Sequence, residues 1–216
     1  MAGKRDYGQF CGLAAAMNVL GERWTILIIR ELLIGPARFN ELAENLPGIG
    51  PNLLTERLRS LLEAEVIEQS QVAWDGRAKL YQLTERGREL REPVLALAHW
   101  GMSLLDEEDR NGAVRAEWGF LAVQSMIEKA EIPDVDETYQ FEVGDEQFSI
   151  EVRGGSVNFH RDGVENPDLI LECDADTFVR VGARLLTPFE AIATGAVRIK
   201  GEPERIHRCS RMLGLT

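Results

Sequence analysis

A chain of 216 residues with 44% hydrophobic content is long enough for one large or two small domains with packed cores. Its net charge of −12 argues against a general nucleic-acid binder coated in cations, and its longest apolar run, residues 26–34, is broken by Arg30 and Glu31 and too short for a membrane span. The start has no apolar stretch behind Lys4 and Arg5, so no secretory signal is read and a cytoplasmic protein is expected.

Residues 10–20 are apolar and Ala-rich, with Leu13, Met17 and Leu20 at helical spacing. Residues 23–33 read as a second helix, stopped by Gly35-Pro36. Residues 39–46 form a short helix with Phe39, Leu42, Ala43 and Leu46 on one face. The tight turn Pro47-Gly-Ile-Gly-Pro51 ends in a proline suited to the first turn of the next helix, 51–64, which buries Leu54, Leu58, Leu61 and Leu62. The periodicity then switches. Residues 66–74 and 80–84 carry β-type side chains around Asp75-Gly76, a strong hairpin signal. Residues 86–105 return to helix, kinked or restarted at Pro93.

The charged stretch 106–114 reads as a linker. Beyond it, 118–130 is helical, and 139–143, 148–152, 157–160 and 169–172 are short strands joined by Gly-Asp, Gly-Gly and Asp-Gly turns. Helices at 176–186 and 188–194, a strand at 197–200 and a closing helix at 204–213 complete the chain. The expected class is α+β, with a winged helix-turn-helix domain over 1–105 and an α/β domain over 115–216.

Residues 1–105 hold 12 Lys+Arg and 13 Asp+Glu, whereas 106–216 hold 12 and 23, so the acidity belongs to the second half. DNA contact must therefore come from placed residues in the first half. Helix, turn, helix and hairpin is the winged-helix order, in which the second helix enters the major groove and the wing follows the backbone. With the leucines of 51–64 facing inward, Asn52, Glu56, Arg59 and Glu63 fall on the opposite side, with Thr55 beside them. Asn52 suits adenine, Thr55 a base edge or phosphate, and Arg59 a phosphate. Arg57 lies nearer the boundary of that face, where it serves either DNA or the fold, and Glu56 has two readings, accepting from a cytosine amine or pairing with an arginine a turn away. Arg77 and Lys79 follow the hairpin turn, while Arg38 and Asn40 flank the start of the preceding helix, all positions for backbone contact.

Cys11, then Leu20-Gly-Glu-Arg-Trp24-Thr-Ile-Leu-Ile-Ile-Arg30-Glu-Leu-Leu-Ile-Gly35, Arg38-Phe-Asn-Glu-Leu42, Leu46-Pro-Gly-Ile49, Leu54-Thr-Glu-Arg-Leu-Arg59, Tyr81-Gln-Leu-Thr84 and Gly87 resemble the HxlR family of bacterial transcription regulators. The resemblance covers residues 11–101. It implies a homodimer held by the first and last helices of the domain, including the Trp100 region, with two recognition helices on a pseudo-palindromic double-stranded operator. Gly50 stands where the family usually has serine, which removes a capping hydroxyl. Cys11 matches a cysteine that senses oxidants or electrophiles in some members; sensing needs an exposed thiol of lowered pKa, whereas Phe10 and Leu13 beside it suggest a buried, inert one.

The second half resembles the sterol carrier protein fold through Leu169-Ile-Leu-Glu-Cys-Asp174, Ala175-Asp-Thr-Phe178, Gly182, Leu185-Leu186, Pro188-Phe-Glu-Ala191 and Gly195-Ala-Val-Arg-Ile-Lys-Gly201. That fold implies an apolar tunnel, for which Phe141, Phe148, Ile150, Phe159, Phe178, Leu185, Phe189 and Ile192 are the lining candidates, and a lipid-like or aromatic effector. Each is also ordinary core for a domain of this size. His99, His160 and His207 are scattered, no CxxC, HExxH or phosphate loop occurs, and the three cysteines are odd in number, so no enzyme, metal or cofactor is expected. The chain therefore reads as a dimeric, sequence-specific DNA-binding regulator. The alternative is a hydrophobic-ligand carrier that uses the winged helix as a dimerisation platform.

Overall fold

The computed structural model describes residues 6–72, 75–108 and 112–215. They form two compact units, Met1–Val94 and Leu95–Thr216. The division lies ahead of the stretch 106–114 read as a linker, of which 109–111 fall outside the described residues.

In the first unit α1 (Gly12–Leu20) and α2 (Thr25–Ile34) are followed by β1 (Ala37–Arg38), α3 (Phe39–Asn45) and α4 (Pro51–Glu63). Then come β2 (Ile67–Val72), β3 (Asp75–Leu83), the short α5 (Glu85–Arg88) and α6 (Arg91–Met102), which ends in the second unit. Gly35 closes α2, and Pro51 opens α4 behind Gly50, as the breaker residues imply. Gly50 offers no capping side chain, so the first amides of α4 stay open. Ile28, Ile29 and Leu32 of α2 meet a core made by Leu42, Leu54, Leu58, Leu61, Ile67 and Leu83, all buried, while Leu62 is half-buried. Pro93 sits in the first turn of α6, where a missing N–H costs little, so the helix restarts there.

The sheet order is β1-β3-β2, all antiparallel. Asp75-Gly76, read as the hairpin turn, belongs to the strand instead: Val72 pairs with Asp75, and Gln71 with Lys79. Asp75 and Gly76 thus open β3, at an irregularity in the register, and 73–74 lie outside the described residues. At the far end of the hairpin Thr84 Oγ1 accepts the Gly87 amide at 3.0 Å, and a Cβ on Gly87 would meet the Val66 carbonyl oxygen at 2.0 Å. Only glycine fits that approach.

The second unit holds α7 (Gly119–Met126), strands β4 (Glu137–Val143), β5 (Glu146–Arg153), β6 (Ser156–His160) and β7 (Leu169–Cys173), then α8 (Ala175–Gly182), α9 (Pro188–Ala193), β8 (Val197–Gly201) and α10 (Pro203–Met212). The sheet order is β6-β5-β4-β7-β8, with β4 and β7 the parallel pair. Gly144, Gly154 and Gly155 take positive φ at the hairpin turns that their sequence pattern predicts. Tyr139, Phe141 and Val143 of β4 are buried, and Phe141 stacks on Phe148 of β5 with centroids 5.3 Å apart. Asp174 caps α8 by accepting the Thr177 amide at 2.6 Å, and Thr187 and Glu190 cap α9 reciprocally. Among the described residues no single helix is long and apolar enough to cross a membrane.

Candidate functional site

Leu54, Leu58 and Leu61 fix α4 against the core, so the helix presents Asn52, Thr55, Glu56 and Arg59 to solvent. Arg59 is 71% exposed, with Glu63 as an ion-pair neighbour at a long 3.9 Å. The Thr55 hydroxyl donates to the Pro51 carbonyl at 2.8 Å, which leaves its oxygen free to accept but directs its proton inward. Glu56 accepts from Arg57 at 3.1 Å, in keeping with the ion-pair reading and with a neighbour rather than a residue one turn away.

Arg57 does not belong to the exposed face. Its side chain is buried and donates to the Arg23 carbonyl at 3.2 Å, to Glu22 at 3.0 Å and to Glu56 at 3.1 Å. A guanidinium held by three acceptors ties α4 to the turn before α2, the fold-serving reading of the two. Arg38 is half-buried as the first residue ahead of α3, where its amide donates to Glu41 at 2.6 Å, and Asn40 is exposed in that helix. Lys79 is exposed on β3 opposite Gln71; Arg77 lies in the same strand, with its side chain outside the described residues.

Cys11 is exposed at the N-cap of α1, with Phe10 and Leu13 also exposed, so the burial suggested by its neighbours does not occur. The backbone amides of Ala14 and then Leu13 lower the pKa of its thiol. The start of a helix favours negative charge, and a thiolate is the reactive form.

The second unit holds a small, partly open apolar cavity between the β4–β7–β8 side of the sheet and helices α7 to α10. Of the eight lining candidates, Phe141, Phe178 and Ile192 reach it. Phe148, Ile150 and Phe159 do not, because β5 and β6 lie toward the opposite edge of the sheet, where the first two fill the core. Leu185 sits in the connection after α8, and Phe189 is 81% exposed on α9. The wall is completed by two cross-strand pairs, Leu171 with Ile199 and Cys173 with Val197. Their i, i+2 spacing on β7 and β8 was the available sequence signal. Burial, reinforced by the charges of Asp174 and Glu172, pushes the Cys173 thiol up to about 12.

A second cluster tethers α10 to the sheet. The Tyr139 hydroxyl donates to buried Glu137 at 2.6 Å, Arg208 Nε donates to the same carboxylate at 3.1 Å, and Arg205 bridges toward Asp168 at 3.1 Å. Its parts lie some seventy residues apart in the chain, and no local pattern joins them.

The HxlR-like helix-turn-helix model matches residues 19–109. The chain is 33% identical over 97 residues to the HTH-type transcriptional regulator YodB of Bacillus subtilis, which is 45% of this chain and 87% of that protein. The chain belongs to the HxlR-like helix-turn-helix family. An uncharacterised HTH-type transcriptional regulator of Mycobacterium tuberculosis is 42% identical over 86 residues, 40% of this chain; the match spans about half, 54%, of that relative. A solved structure of the reduced form of YodB aligns with 45% of this chain and 97% of its own, at 32% identity and a TM-score of 0.39. The SCP-2 sterol transfer family model matches residues 120–214, which leaves 110–119 between the two matches. This HxlR-like chain is thus a winged helix-turn-helix domain followed by a sterol-carrier-like α+β domain, as the residues predict.

Proposed function

We propose that the protein is a sequence-specific transcription regulator that binds a pseudo-palindromic DNA operator as a homodimer. One observation carries this reading: α4 is pinned by three buried leucines and presents Asn52, Thr55 and Arg59 outward, in a chain of the HxlR-like family. Dimerisation is supported by large exposed apolar side chains just before and on α1 (Phe10, Leu13) and on and after α6 (Leu97, Trp100, Leu104), which favour cover by a second copy. Two inputs are proposed, a hydrophobic ligand in the cavity and oxidation or alkylation of Cys11. The rival reading, a hydrophobic-ligand carrier, draws on the cavity alone. No catalytic step is assigned, since the carboxylate of the strongest titratable cluster, Glu137, is already engaged by Tyr139, Arg208 and Arg205.

Footprinting near the protein's own gene separates the two readings. A defined protected site supports the regulator; equally weak binding to all sequences supports the carrier. Arg59→Ala is expected to weaken binding to every sequence alike and to lower the slope of log K against log salt by about 1. Asn52→Ala should instead relax the choice of base at one position. For Cys11, a thiol at a helix start has more thiolate at neutral pH, so iodoacetamide should react faster with the folded protein than with a matching peptide. Equal rates would remove Cys11 as a sensor.

A further inference from the structure

We propose that Arg23 is a DNA backbone contact, its guanidinium held beside α4 to take a phosphate of its own. The inference rests on the DNA-binding reading and adds a cation that helical phase does not reveal, because Arg23 lies in the turn before α2. That turn is strained. Trp24 has φ 78° and ψ −21°, a left-handed conformation that a bulky side chain adopts only at a cost. Contacts on two sides hold it. Arg57 of α4 donates from Nε to the Arg23 carbonyl at 3.2 Å and from its far end to Glu22 at 3.0 Å. The rim of the Trp24 ring reaches the α3–α4 turn, where a Cβ on Gly48 would stand 3.6 Å from Cη2. The strained turn is thus fastened to α4 and to the residues that lead into it. Strain of this kind persists where its surroundings over-determine it, and it gathers at binding sites.

What the conformation presents is a cation. The Arg23 side chain is exposed, and its guanidinium lies over the Trp24 ring, 5.6 Å from the centroid. Among the described residues no carboxylate pairs with Arg23, and Glu22 beside it is engaged by Arg57. The arginines around α4 therefore differ in kind. Arg57 is buried among acceptors and Arg59 has Glu63 as a neighbour, whereas Arg23 has an aromatic face, which orients the guanidinium without neutralising it. A guanidinium resting on a ring keeps its N–H edge for a bidentate phosphate contact. Because the ring meets the turn that opens α4, the cation lies near the end of the helix that enters the groove, which backbone phosphates flank.

The test uses the full-length protein and a dye-labelled, mixed-sequence duplex of about three helical turns, since a phosphate contact does not depend on base sequence. Anisotropy across a salt series is read for wild type, Arg23→Ala, Arg59→Ala and the double variant. Arg23→Ala is expected to bind several-fold more weakly and to lower the slope of log K against log salt by about 1, with urea unfolding unchanged. The double variant should lose about twice as much slope, as two separate phosphates require. Arg23→Lys should keep the slope yet bind more weakly than wild type, because lysine has no planar group to rest on the ring. A folded Arg23→Ala protein with the wild-type slope overturns the contact, as does a double variant that loses no more than Arg59→Ala alone. Arg23→Lys binding as tightly as wild type overturns the part given to the Trp24 ring. If wild type itself fails to bind the duplex at low salt, the DNA-binding reading fails and this inference with it.

Discussion

Replacing Glu137 with alanine is expected to destabilise the second unit by about 1–3 kcal/mol, the range for leaving a buried hydrogen-bonding group without its partner. The change leaves the guanidinium of Arg208 and the fully buried hydroxyl of Tyr139 without their shared acceptor. Loss of hydrogen-exchange protection in β4, β7 and α10, with protection of β2 and β3 retained, is the expected readout. Glu137→Gln keeps an acceptor for Tyr139 and should cost less. Acid has a related effect. Burial alone raises the pKa of Glu137, but hydrogen bonds from Arg208 and Tyr139, with the charges of Arg208 and Arg205, carry it below the ordinary value. A depressed folded pKa means the contribution is complete above the unfolded value of about 4.3 and is lost as pH falls through the folded one. Wild-type stability should therefore decline more steeply on acidification than that of Glu137→Ala. Parallel curves would show that the carboxylate contributes no such linkage.

Arg57→Ala is expected to cost about 3 kcal/mol in the first unit, because it removes charge-assisted hydrogen bonds and leaves the Arg23 carbonyl unpartnered by that side chain. Its neighbour two residues on behaves oppositely. Arg59→Ala should leave stability within about 0.5 kcal/mol, since an exposed pair at 3.9 Å contributes little. Urea unfolding of both variants, combined with salt-dependent DNA binding, separates a strut from a contact. For Arg57→Ala, DNA affinity should fall only with the folded fraction and the salt slope should not change. An Arg57→Ala protein of full stability with a reduced salt slope would instead make Arg57 a phosphate contact.

These two arginines show where sequence reading succeeds and where it stops. Helical phase alone placed Asn52, Thr55 and Arg59 outside, because Leu54, Leu58 and Leu61 leave no choice. Arg57 sits at the edge of that face, and its fate depends on Glu22 and the Arg23 carbonyl, more than thirty residues away. The hairpin was legible in composition but not in register: Asp75-Gly76 has turn chemistry, yet β3 extends through it. In the second unit every strand was readable from local alternation. Which face of the sheet is hollow depends on strand order, and the β4–β7 pairing that places Phe141 beside Leu171 is not a local property. Phe148 and Ile150 were equally apolar candidates and became core for that reason.

The division of the chain inside α6 has a practical consequence for dissecting it. A fragment ended at Val94, where compaction changes hands, would keep a single turn of that helix. One turn without its continuation is not stable in water, since nucleation is made good only by propagation. It would also discard Leu97 and Trp100, the exposed apolar residues that a second copy is proposed to cover. An isolated DNA-binding fragment should therefore run past Leu104. One cut at the compact boundary would misreport both the stability and the stoichiometry of the whole protein.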